Sequence, residues 1–205
     1  MTFYSQSKQD EWVNLLLDGK SDGYFLDIGA YDGVATSNSY FFESEKGWTG
    51  ICVEADPGPF VNLSRVRTSK NYNVAAMDYD GVCNFSNMVV GSGPEIPCRK
   101  INGILEESEA PDFIDYLSID IEGLEYTVLS DIDFDRWTFG LMTVEHNLYC
   151  DGPENKNKIY DLLTSKGYVR VQEDVVSLDN SNPIWYLQPY EDWYVHESII
   201  GGLNL

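Results

Sequence analysis

The chain has 205 residues, 43% of them apolar and 14% aromatic, and sets 34 acidic against 13 basic residues for a formal charge of −21. A chain of that length and aromatic content buries a core, which excludes wholesale disorder. Its excess carboxylate repels phosphate, which argues against nucleic-acid and anionic-membrane partners; the charge itself reads as solubility.

Residues 1–12 lack the basic-then-apolar pattern of a secretion signal, and no apolar run approaches the roughly 18 residues of a membrane span. Cys52, Cys83, Cys98 and Cys150 have no metal-ligand spacing and read as reduced, structural thiols, so a cytoplasmic setting is expected. Residues 9–18 carry Trp12, Val13, Leu16 and Leu17 on one helical face, stopped by Gly19. Residues 24–28 are a short apolar strand entering a glycine-bearing loop. A helix is expected over 36–46, with Thr36 or Ser37 as its cap and Gly47 as its stop. A second strand follows at 50–53, then a helix at 57–66 capped by Asp56, with Pro57 in its first turn. A third strand is expected at 73–76, β-structure at 82–90, a Gly/Pro loop at 91–97 and a helix at 102–109. Next come a strand at 116–119, a helix at 122–129, a strand at 139–144 and a helix at 153–166 closed by Gly167. The strands 168–171 and 184–187, joined by a polar loop at 179–183, complete the series. Without repeats or linkers, the expectation is one α/β domain over 1–205: a doubly wound, mostly parallel sheet, residues 1–22 a helical segment over the site and 188–205 a tail.

In open α/β sheets the ligand sits beyond the carboxyl ends of the strands. The first strand ends in Asp27-Ile28-Gly29-Ala30-Tyr31-Asp32-Gly33. A dinucleotide loop would read G-x-G-x-x-G and offer bare amides to pyrophosphate. Here only Gly29 and Gly33 are present, flanked by Asp27 and Asp32, whose charge repels phosphate. A ligand with positive groups and no phosphate fits better, and S-adenosylmethionine carries a sulfonium and an ammonium against one carboxylate. Glu54, at the end of the second strand, suits two ribose hydroxyls, a role common to several adenosine cofactors. Asp56 beside it reads as a helix cap. The fourth strand runs into Asp120-Ile121-Glu122-Gly123-Leu124-Glu125, where Asp120 and Glu122 can reach the cleft and Glu125 faces solvent or an ion pair. The fifth runs into Glu145-His146-Asn147, placing one of two histidines at a strand end, where a group titrating near neutrality suits proton transfer. The other, His196, falls in the tail and reads as surface or lid.

These blocks, with Ser37-Asn38-Ser39, Gly47-Trp48-Thr49-Gly50, Ile114-Asp115-Tyr116-Leu117-Ser118, Tyr4-Ser5-Gln6 and Asp192-Trp193-Tyr194-Val195, make the chain resemble the FkbM-type branch of class I S-adenosylmethionine-dependent methyltransferases. The resemblance implies a seven-stranded Rossmann-like sheet and a methionine site at Asp27, Gly29, Ala30, Tyr31, Asp32 and Gly33. It puts Glu54 on the ribose, Ala55, Asp56 and Asp78 near the adenine, and Asp120 near the sulfonium. Gln6, Gln9 and Asp10 would close over the site, while Ser37 and Asn38 either bond the cofactor's carboxylate or cap the following helix. It further implies hydroxyl acceptors on sugars, glycans or related small molecules.

Methyl transfer to a hydroxyl needs alignment, exclusion of water and a general base. His146 is the expected base, with Asp120 orienting cofactor or acceptor and Glu122 positioning the acceptor. A second version places Mg²⁺ on Asp120, Glu145, His146 and Asn147. A nicotinamide oxidoreductase is disfavoured by the acidic loop, and a non-catalytic cofactor-binding module is the remaining alternative. The aromatic residues Trp185, Tyr186, Tyr190, Trp193 and Tyr194 either stack on sugar rings or cover the sheet edge, Trp185 reading as core.

Overall fold

The short apolar runs become strands because each is long enough to cross a core but too short for a buried helix. The computed structural model describes residues 1–86, 89–178 and 186–203. In chain order they form α1 (Gln9–Leu16), β1 (Tyr24–Ile28), α2 (Tyr40–Lys46), β2 (Thr49–Val53), α3 (Pro57–Val66), β3 (Lys70–Tyr72), β4 (Ala75–Ala76), β5 (Gly81–Ser86) and β6 (Val89–Arg99). These are followed by α4 (Ile101–Glu107), β7 (Phe113–Ile119), α5 (Glu125–Asp131), β8 (Thr138–Glu145), α6 (Leu148–Asp151), α7 (Pro153–Ser165), β9 (Tyr168–Val176), β10 (Pro189–His196) and α8 (Glu197–Ile200).

The main sheet has seven strands in the order β3-β2-β1-β7-β8-β10-β9. All pair in parallel except β10, which runs antiparallel to both β8 and β9. Alternation along the strands feeds two cores. Leu26 and Ile28 pack with Leu117, Ile119 and the helical residues Ile104, Leu105, Val128, Leu129 and Leu163. Phe25 points the other way, with Tyr116 and Leu141, onto Val13, Leu16, Phe41, Phe42 and Leu63. Each fully buried large side chain contributes roughly 1.5–3 kcal/mol, so helices on both faces clamp the sheet. β1 and β7 are neighbours although far apart in sequence, and here the chain switches from one side of the sheet to the other.

Several elements differ from the sequence expectation. The helix expected at 36–46 begins only at Tyr40. The Ser37 hydroxyl accepts from the backbone amides of Ser39 and Tyr40, and the Ser39 hydroxyl turns to Asp27, so these polar side chains hold a loop instead. The third sheet strand is Lys70–Tyr72 rather than 73–76; Ala75–Ala76 joins β5 and β6 in a separate three-stranded sheet. The loop expected at 91–97 is part of β6, because cross-strand pairing with β5 overrides its Gly/Pro composition. The helix expected from 122 starts at Glu125, because Glu122 and Gly123 both have positive φ (58° and 103°). The stretch expected as a tail, 188–205, supplies β10, an interior strand of the sheet. His196 is half-buried, caps α8 through its Nδ1 and meets the Tyr168 ring edge-on. The loop expected at 179–183, Trp185 and most of the strand expected at 184–187 lie outside the described residues, as does the side chain of Cys150. Cys52, Cys83 and Cys98 are buried and free. Among the described residues, no helix is long and apolar enough to cross a membrane.

Candidate active site

The cleft opens over the carboxyl ends of β1, β2, β7 and β8 and encloses about 400 Å³. Its first wall is the loop after β1. Gly29 has φ +93°, and a Cβ there would lie 1.8 Å from the Asp120 carbonyl oxygen. Glycine is therefore demanded by the crossing of two strand ends, reinforced by the bond from the Asp120 amide to the Ile28 carbonyl at 3.0 Å. At Gly33 a Cβ would meet Arg67 at 2.9 Å. Arg67, only 4% exposed, holds the loop from beneath. Its guanidinium donates to Glu43 (2.6 Å), to the Gly33 carbonyl (3.2 Å) and to the Ser39 hydroxyl (2.9 Å), and Ser39 donates in turn to Asp27. The Phe25 and Tyr40 rings lie against the guanidinium. Burial raises the Asp27 carboxyl above its ordinary range, while Arg67 and Ser39 pull it back.

The second wall follows β2. One oxygen of Glu54 accepts the Tyr31 amide at 2.8 Å and the other the Asp56 amide at 2.6 Å. A carboxylate has about four acceptor positions, so two remain for hydroxyls of a ligand. Burial raises Glu54, and the two amides oppose the shift. Asp56 caps α3 through the Gly58 amide, as its reading as a helix cap expects, and also lines the cleft. Ala55, Val74, Ala75, Ala76, Phe85 and Leu124 add an apolar slot, closed on one side by the small sheet.

Asp120, Glu122 and Glu145 converge on the third wall, with one oxygen of each within 4.8 Å of the others. Glu145 accepts the Glu122 amide at 3.1 Å. Burial, above all, pushes Asp120 up to about 7; a hydrogen bond with Glu145 pulls it down and the charges of Glu122 and Glu125 push it up. Burial and then the Asp120 charge raise Glu145 well above the carboxylate range. Burial and their mutual charge thus push both carboxyls upward together. Glu125, expected to face solvent or an ion pair, is fully buried and receives the Ile121 and Gly123 amides, which holds this turn.

His146 does not reach the cleft. Successive strand residues point to opposite sides, so the step from Glu145 turns the imidazole away. It is 1% exposed, and its Nδ1 accepts the Leu148 amide at 3.2 Å. Nε2 therefore carries the proton, 3.4 Å from Asp192 and 3.7 Å from Asp174, in a network completed by Arg170 and Lys156. The four-residue set expected for Mg²⁺ is thus divided: Asp120 and Glu145 group with Glu122, and His146 with Asp174 and Asp192. Asn147, in a left-handed conformation at the start of α6, is not among the lining residues.

Of the residues expected around the cofactor, Asp27, Gly29, Ala30, Tyr31, Ser37, Asn38, Glu54, Ala55, Asp56 and Asp120 line the cleft. Asp32 instead accepts the Val34 and Ala35 amides, and Asp78 is exposed away from the lining. In the N-terminal segment only Gln6 lines the cleft. Asp10 holds the Tyr4 and Ser5 amides, and Ser5 bridges to Thr36, which lays the segment over the loop. Gln9 donates to the Tyr190 hydroxyl (2.7 Å) and to Glu191 (3.1 Å), one layer behind the wall. Tyr190, one of the aromatic residues expected either to stack on sugar rings or to cover the sheet edge, lines the cleft; Arg67, Phe85, Tyr149 and Ser177 are site residues that no motif announces. They arrive from distant elements, and only the acidic loop needing a buried counter-charge hinted at Arg67.

Residues 27–170 match the family model described as methyltransferase FkbM domain. No curated protein matches the chain. Among solved structures, fibrillarin from Aeropyrum pernix with natively bound S-adenosyl-L-methionine superposes with a TM-score of 0.54 at 15% identity, covering 93% of this chain and 74% of that one. A protein from Klebsiella pneumoniae described as an O-methyltransferase gives 0.57 at 10% identity, with 93% and 80% covered. One from Clostridium thermocellum described as an rRNA methylase gives 0.52 at 11%, with 95% and 99% covered. At these identities the likeness is one of fold.

Proposed function

Since the chain belongs to the FkbM-type methyltransferases and uses S-adenosylmethionine, we propose that it methylates a hydroxyl of a sugar, glycan or related small acceptor. The observation that carries this reading is the charge of the cleft. Asp27, Glu54, Asp56, Asp120, Glu122 and Glu145 line it, and no Lys, Arg or His does so among the described residues. Such a wall attracts a sulfonium and repels phosphate-rich or carboxylate-rich acceptors, which favours neutral polyhydroxyl molecules over those classes.

The residues fit the cofactor. Asp27 and Asn38 would hold the methionine end, Glu54 has acceptor capacity for the ribose, and the apolar slot beside Ala76 and Phe85 suits a purine. When bound, the cofactor supplies a methyl group made electrophilic by the sulfonium. A sugar hydroxyl is a weak nucleophile until its proton begins to leave. The Asp120–Glu145 pair takes that proton onto a carboxylate oxygen, replacing His146 in the role expected from sequence, because the pair faces the cleft and the imidazole does not. Glu122, at the mouth, and Tyr190 position the acceptor, and the N-terminal segment limits water.

Mass spectrometry of glycan and metabolite extracts incubated with the protein and methyl-labelled cofactor tests this. Label in an O-methyl group of a neutral carbohydrate is the expected result. Label only on nitrogen, on RNA or on a phosphorylated acceptor overturns the acceptor assignment.

A further inference from the structure

The proton transfer proposed above uses Asp120 and Glu145 and leaves a third buried carboxyl without a task. Glu191 is 1% exposed and stands opposite Glu145 in the β8–β10 ladder. β7 and β8 pair Ile119 with Val144, so Asp120 follows at the level of Glu145. Directly opposed residues point to one face of a sheet. Asp120, Glu145 and Glu191 therefore form a row across three neighbouring strands, its first two members lining the cleft and its third buried behind them. Among the described residues Glu191 is bonded by neutral donors alone, Gln9 Nε2 at 3.1 Å and 3.4 Å and the Trp193 indole N–H. The titratable groups around it are acids: Asp120 and Glu145 from the neighbouring strand ends, Tyr116 from β7, and Tyr190 and Asp192 on its own strand, the last turned to His146 and Arg170. Burial pushes Glu191 up to about 8; the Trp193 donor opposes that shift and the Asp120 charge adds to it. Its surroundings thus resist a further negative charge, yet two donors are set to hold one.

Resting on the cofactor reading above, we infer that Glu191 is a positioning residue that distinguishes S-adenosylmethionine from S-adenosylhomocysteine, a buried acid that ionises when the sulfonium enters the cleft and is neutral beside the thioether. The two ligands share their ammonium, carboxylate and adenosine, and differ in the methyl group and charge on sulfur. A cation in this cleft favours ionisation of the row. In the transfer the acceptor's O–H bond breaks and an O–CH₃ bond forms, the electron pair of the S–CH₃ bond returns to sulfur, and the proton goes to a carboxylate of the row. The sulfonium charge and one carboxylate charge vanish together, so the cleft keeps the same net charge before and after. Glu191 supplies the additional carboxylate that this balance requires, held by Gln9 and Trp193.

Titration calorimetry of both ligands, in buffers of different ionisation heat and at several pH values, measures the protons released on binding. S-adenosylmethionine should release a fraction of a proton, largest at about pH 8, and S-adenosylhomocysteine should release less. The wild type's preference for the sulfonium ligand should rise with pH. Glu191→Gln should lose the release and cut that preference by about three- to tenfold while keeping its affinity for S-adenosylhomocysteine. Glu191→Asp should retain both properties. Gln9→Leu, which removes one donor without altering the sheet, should move the release to higher pH. Equal proton release by the two ligands, or an unchanged preference in Glu191→Gln, would overturn the inference. So would an equal loss of affinity for both ligands in that variant, which would mark a structural role. Thermal unfolding without ligand shows whether Glu191→Gln folds; if it does not, an unmoved release in Gln9→Leu would overturn the inference instead. Failure of the wild type to bind either ligand would overturn the cofactor reading beneath it.

Discussion

Replacing Arg67 by methionine should unfasten the cofactor loop from below. The substitution keeps the apolar stem between Phe25 and Tyr40 but removes the donors to Glu43, Gly33 and Ser39. Glu43 and Asp27 would then be buried carboxylates without their shared cation. Breaking a buried pair by deleting one partner costs about 3–5 kcal/mol, a large part of the 5–15 kcal/mol typical of a domain. The pH dependence follows from the two carboxyls. Although burial opposes it, Arg67, helped by Thr68, holds Glu43 below its ordinary range, so that contribution is present above the unfolded pKa and lost as pH falls through the folded one. Asp27 is raised by burial, so its ionised form disfavours folding as pH rises, and more so without Arg67. The gap between wild type and variant should therefore be about 4 kcal/mol at pH 7 and shrink as pH approaches 4. Urea unfolding at several pH values measures it, with S-adenosylhomocysteine titrations to follow the loop. A loss below about 1 kcal/mol, or one independent of pH, would refute the buried-counter-ion account.

Methyl transfer should rise with pH through a limb near 7 set by the Asp120–Glu145 pair; Glu145→Gln should lower turnover by about 10²–10⁴-fold, whereas His146→Gln should keep the limb and lower stability instead, as pH–rate profiles and denaturation of both variants will show. Loss of the limb in His146→Gln would return the base to the imidazole. Gly29→Ala places a Cβ 1.8 Å from the Asp120 carbonyl at φ +93°, and should cost at least about 2 kcal/mol in chemical denaturation while abolishing S-adenosylhomocysteine binding.

Much of the fold was legible because its signals are local. β1 and α3 have their expected bounds, since a buried apolar run and an Asp-Pro helix start are encoded within a few residues. The hairpin of β5 and β6 was half missed because its second strand is held by pairing partners rather than by its own composition. The last strand was displaced because an interior antiparallel strand rich in Glu, Asp and aromatic residues looks like a polar tail until β8 and β9 cover its edges.

Strand-end acidity was written in the sequence by itself: carboxylates follow β1, β2, β7 and β8, and those of the first loop disfavour pyrophosphate and suit a cationic cofactor. Only the tertiary structure decided which of them meet. Glu145 and His146 are adjacent in the chain, yet side chains alternate along a strand, so one enters the cleft and the other joins Asp192 behind it. Arg67, far from the loop in sequence, becomes its counter-ion because a buried carboxylate draws in a cation wherever the fold can bring one.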